Sequence, residues 1–255
     1  MDPRGLDGQV VRPSDDELRK LRDQFVVVRV VQMNDVDLSR FQFDYDLVFA
    51  IVFMNSQGRV YSRYGSRTRW NSDSRYSLAG LKHTMRRVLR VHGNAPDAVM
   101  PQARPVLTRE LLGSNRGCMH CHQAWEGLRI KARRDGTFDP ESLFVYPQPE
   151  NIGLQLDVDL GNRVIRVKPD SPSRQGGLQP GDRITSIGKH RILSHADVTW
   201  ALHNAEAVGP LQVRITRNGV PADLTLPLEK GWKETDLSWR ASMAREQLPG
   251  VRTHR

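Results

Sequence analysis
The chain has 255 residues, 38% of them hydrophobic, enough for one large or two small cored domains. No stretch approaches the ~20 apolar residues of a membrane span, so no transmembrane segment is expected. The formal charge of +9 is uneven, with sixteen Lys or Arg and four Asp or Glu between positions 59 and 134, but no helix-turn-helix, zinc-finger or RNP aromatic pattern accompanies it; it reads as a solvated surface, and no nucleic-acid partner is expected.

Residues 1–20 are polar throughout and show no charged-then-apolar leader. Residues 15–24 read as the end of a helix with acidic residues early. Residues 25–31 (FVVVRVV) are a β-branched run of strand length, and residues 47–54 (LVFAIVFM) are a second, fully apolar one. Residues 55–58 (NSQG) supply a turn into residues 59–64 (RVYSRY), which alternate like a strand with one wet face. Leu78, Leu81, Met85 and Val88 recur at helical spacing and predict an amphipathic helix over 77–92. Pro96, Pro101, Pro105 and Gly113 make residues 95–117 an irregular connection. Residues 124–132 suit a short helix, and residues 133–149 are loop-like again.

From Glu150 the pattern changes to short strands with sharp punctuation. Strands are predicted at 154–156, 163–167 and 184–187, with a helical turn over 172–178. Ser194 is a good N-cap with Asp197 as capping-box partner, opening a helix over 195–204. Residues 211–216 and 223–228 pair across Arg217-Asn218-Gly219, where Asn-Gly signals a type I′ turn. Trp232 and Trp239 suggest that residues 232–243 dock on the body and that residues 247–255 are mobile.

The runs FVVVRVV, FDYDLVFAIVFMNSQGRVYSRYG and the helix near Leu81 resemble the later part of a thioredoxin-like domain. The resemblance implies an α/β layer over residues 1–95, incomplete because the first strand and the redox-motif helix are missing. The pieces NIGLQLD, VIRVKPDSPSRQGGLQPGDRITSIG, SHADVTWALHNA and LQVRITRNG resemble a PDZ domain of the bacterial, protease-associated kind, a small β-barrel with two helices over residues 150–229. Residues 96–149 then link the two, and 230–255 form a Trp-containing tail. This order is similar to a bacterial family of thioredoxin-like/PDZ proteins.

The PDZ resemblance implies capture of a partner protein's C-terminal peptide. The carboxylate loop falls on Asn151, Ile152, Gly153 and Leu154, where glycine would let backbone N–H groups face an anion. The strand through Leu154 and Leu156 would take the peptide as an added strand. His195, Thr199 and Leu202, one turn apart, would line the opposite wall.

Both cysteines, Cys118 and Cys121, fall in Cys118-Met119-His120-Cys121-His122, a C-x-x-C-H pattern. Two thiols so spaced can bind the vinyl groups of one haem, with His122 as axial ligand. Met85, Met100, His83 and His92 are candidates for the sixth position. A zinc site and a disulfide or dithiol are the competing readings. The expected function is C-terminal peptide binding by an exported protein carrying haem c. The alternative is a thiol or electron-transfer oxidoreductase truncated at its N-terminus. Export is expected if the reading frame starts upstream of Met1, and a cytoplasmic location if it does not.

Overall fold
The computed structural model describes residues 6–65, 76–94, 104–112 and 119–244. Helices α1 (Leu6–Val11) and α2 (Asp16–Arg22) open the chain. Asp15 caps α2 by accepting the Leu18 N–H at 2.7 Å. Strands β1 (Ile51–Met54) and β2 (Val60–Tyr64) form an antiparallel hairpin over the 55–58 turn. Helix α3 (Leu78–Gly93) starts at the Ser77 cap and lays Leu81, Met85 and Val88 against Leu18, Leu21, Phe53 and Tyr64.

The thioredoxin-like layer does not emerge from the described residues. Residues 25–31 form no strand: Val26 is 96% exposed and Val28 and Val31 are each 78% exposed. Their β-branched composition favours extended backbone, but a strand also needs a pairing partner, and among the described residues none flanks this run. The second apolar run is a strand only from Ile51 onward, and Val48 is exposed. Among the described residues the hairpin β1-β2 stands as a two-stranded sheet.

The central segment holds α4 (Thr108–Leu112) and α5 (His122–Arg134). Both pack on residues 33–45, where Met33, Leu38 and Tyr45 meet Met119 and Ala124. Backbone bonds stitch the two together, Leu38 N–H to the Val106 carbonyl at 2.8 Å and Met33 N–H to the Met119 carbonyl at 3.1 Å.

The C-terminal half contains strands β3 (Leu154–Leu156) and β4 (Val164–Val167), paired antiparallel, then the short helix α6 (Pro172–Gln175). Strands β5 (Arg183–Ile187) and β6 (His190–Arg191) precede helix α7 (His195–His203). Strands β7 (Gly209–Arg217) and β8 (Val220–Leu228) complete a four-stranded sheet in the order β6-β5-β7-β8. Their turn is the predicted Asn218-Gly219, with φ of 52° and 84°. Ile152, Leu154, Leu156, Val164, Ile184, Val198, Leu202, Ile215 and Leu226 fill one core between sheet and helix.

The expected docking of the tail is present. Trp232 closes the C-terminal core, while Arg240 and Ser242 reach back to Asp44 and Asp46. Residues 247–255 lie outside the described residues.

Candidate functional site
Ile152, Leu154, Leu156 and Leu202 are at most 2% exposed and share one core cluster. Gln155, between the two leucines, is exposed, as the period of a strand requires. The capping box that starts α7 is complete: Ser194 Oγ accepts the Asp197 N–H at 3.1 Å, and the Asp197 carboxylate accepts the Ser194 N–H at 3.1 Å.

The carboxylate loop departs from expectation. Residues Pro149–Ile152 form a 3-10 turn, and the Gly153 N–H donates to the Glu150 carbonyl at 3.0 Å, so this donor is already used. Glycine is required there for another reason. Its φ is +80°, and a Cβ would stand 2.2 Å from Cβ of Ser171. Asn151 also faces away from the loop, its side-chain amide donating to the Trp232 and Glu234 carbonyls at 3.0 Å each.

The α7 wall is covered by the first half of the chain. Asp197 accepts the Ser62 hydroxyl at 2.7 Å and the Arg63 N–H at 2.9 Å, while Ser194 Oγ donates to the Arg63 carbonyl. Arg87 on α3 donates to the Leu193 and Ile192 carbonyls at 2.8 and 3.0 Å. Leu193 inserts into the core of the N-terminal layer, a contribution of roughly 1.5–3 kcal/mol to the seam. Ser77 Oγ donates to Asp159, just past β3. His195 and Thr199 are therefore 5% and 7% exposed rather than lining an open groove. Thr199 and Ala196 border a recess whose other walls are Phe43, Asp44, Leu47, Ala50, Arg63, Tyr64, Gly65, Tyr146 and Gln148.

Sequence reasoning missed Arg63, Tyr146 and Gln148. The only signal was the arginine itself, set in an alternating strand beside apolar positions. The Arg63 guanidinium lies 4.0 Å over the Trp200 ring, and its Nε donates to the Gln42 carbonyl. Burial lowers its pKa below the usual arginine range, opposed by the nearby Asp197 charge. At the other end of α7, His203 stacks on Tyr146 with ring centroids 4.5 Å apart.

Cys118 lies outside the described residues. Cys121 is packed against the cluster of Met33, Tyr45, Met119 and Ala124, and burial pushes its thiol up. Nδ1 of His122 faces Glu126 Oε1 at 3.1 Å. Three of the candidates for a sixth haem ligand, His83, Met85 and His92, lie on α3. Met85 packs in the Leu81 core, and His92 faces the Tyr61 hydroxyl at 2.9 Å. Met100 lies outside the described residues. The described residues hold Cys121 and His122 of the C-x-x-C-H pattern. They also hold no group of three or more His, Cys, Asp or Glu suited to a metal ion. No helix among them is long and apolar enough to cross a membrane.

Residues 149–228 match the family model of the PDZ domain, so the chain contains a C-terminal PDZ domain. Among curated proteins, it is 28% identical over 99 residues to serine protease HTRA1 of Xenopus tropicalis, covering 39% of this chain and 20% of that protein. It is also 28% identical over 85 residues to putative serine protease HhoB of Synechocystis sp., covering 33% of this chain and 20% of the relative. The chain thus spans about one-fifth of the length of these relatives. Similar solved structures include the HtrA3 PDZ domain bound to a phage-derived ligand, with 25% identity, 31% of this chain and 67% of that chain covered, and a TM-score of 0.25. The HtrA-type protease AlgW with a decapeptide has 21% identity, 43% and 35% coverage and a TM-score of 0.28.

Proposed function
We propose that this chain is a binding protein whose PDZ domain takes the C-terminal peptide of a partner protein. The observation that carries the reading is the PDZ match over residues 149–228, in which strand β3 and helix α7 contribute to one apolar core. Such a strand offers backbone N–H and C=O groups along its edge, and an added peptide strand would satisfy them. Gln155 faces outward on β3, and Leu154, Leu156 and Leu202 form the floor beneath. The grip of Ser62, Arg63 and Arg87 on the start of α7 makes the N-terminal layer the second wall of the site.

The test is a screen of the full chain against pentapeptides with free C-terminal carboxylates and against their amides. Free acids should bind more tightly than amides by roughly 1.5–3 kcal/mol, the worth of a hydrogen bond to a charged group. Equal binding of both forms across the library would remove C-terminal recognition as the function.

A further inference from the structure
We infer that the recess beside Thr199 is a carboxylate-binding site whose cation is Arg63, so that the N-terminal layer and the PDZ domain build one ligand site together. This rests on the peptide-binding reading and gives the terminal carboxylate a place other than the Gly153 loop. Arg63 is 9% exposed and lines the recess. Its guanidinium donates through Nε to the Gln42 carbonyl, and its backbone N–H donates to Asp197. The buried acids around it are committed elsewhere. Asp197 is filled by Ser62, Leu193, Ser194 and the Arg63 N–H. Asp44 is held by Arg240 at 2.8 Å. Among the described residues, no side-chain carboxylate forms an ion pair with the Arg63 guanidinium. The Asp197 charge offsets part of the cost of burying this cation, and an anionic ligand on the guanidinium would relieve more of it.

Gln148 supplies a second, independent observation. Its Oε1 is buried in the wall of the same recess and has no hydrogen-bond partner among the described residues. An acceptor beside a guanidinium suits the end of a peptide: the carboxylate reaches Arg63 and the last backbone N–H reaches Gln148. Asp44 on the same recess favours a ligand of one negative charge over a phosphate dianion. The shared chemistry is a carboxylate, from a chain terminus, an acidic side chain or a small free acid.

The experiment uses the full chain, and its probes are the library peptides as free acids, as amides, as amides carrying an internal Glu, and sodium acetate alone. Peptide binding is read by anisotropy. Acetate binding is read from tryptophan emission, with Trp200→Phe as the blank because Trp200 lies under Arg63. Arg63→Gln should weaken free-acid binding at least tenfold and erase the preference over amides, while Arg63→Lys keeps part of it. Gln148→Glu, which retains Arg63 and places a carboxylate next to it, should compete in cis and weaken binding similarly. This second variant keeps the test valid if Arg63→Gln unfolds on heating earlier than wild type. Free acids preferred equally by wild type and both variants would overturn the site while leaving peptide binding intact. If wild type binds no peptide, acetate decides: an emission change lost in Trp200→Phe and Arg63→Gln supports the site, and no change in wild type overturns it. Tight binding of the internal-Glu amides would assign the site to acidic side chains rather than chain ends, and would overturn the terminal source.

Discussion
Acidification should loosen the seam between α7 and the central segment through one residue, His203. Burial pulls its pKa from 6.5 down to about 4, with the charges of Lys233 and Arg240 acting in the same direction. Nδ1 lies 3.4 Å from the Tyr146 N–H as its acceptor, and the ring packs between Tyr146, Trp200 and Trp125. A proton on Nδ1 would remove that acceptor and place a charge in an aromatic cage. The folded pKa is the lower one, so this contribution is complete above the unfolded value of 6.5 and is lost as pH falls toward about 4. At pH 5 the loss is about 2 kcal/mol, rising to about 3 kcal/mol near the folded value. Urea midpoints at pH 7 and pH 5 give the measurement, on wild type and on His203→Phe, which keeps the stacked ring. The pKa values of His83 and His190 are also lowered by burial, but they are common to both proteins. The variant should lose about 2 kcal/mol less than wild type across this interval. Equal losses would refute the assignment of this acid sensitivity to His203.

Arg240 is 2% exposed and binds Asp44, Asp46 and the Val145 carbonyl at 2.8, 3.0 and 2.7 Å. Arg240→Ala strands two buried carboxylates and should cost roughly 3–5 kcal/mol at pH 7; a loss below 1 kcal/mol by chemical denaturation would show that the tail does not anchor the first half. Production in a host with a c-type maturation system tests the C-x-x-C-H reading, and a protein left colourless after acid-acetone extraction would remove haem c. A red chromophore that disappears in the Cys118→Ser, Cys121→Ser double variant would show that Cys121 leaves its apolar packing to bind haem.

The PDZ half was legible in the sequence because its signals are local. The Asn218-Gly219 turn, the Ser194–Asp197 box and the period-two strands each act within a few residues, and each appears where expected. The helix over Leu78–Gly93 was legible for the same reason, since one apolar face at helical spacing needs only some partner to cover it. The run 25–31 misled because strand propensity does not supply a neighbouring strand. Gly153 was picked out correctly as a special position, but the contact that demands it is with Ser171, eighteen positions away in the chain. The recess could not be read at all. Arg63, Gln148 and Thr199 are separated by scores of positions and meet only because Asp197 and Ser194 receive strand β2. The sequence by itself determined the PDZ fold and the helix cap. The tertiary structure decided what covers α7, because the pairing of buried polar groups depends on which surfaces meet, and no local pattern encodes that.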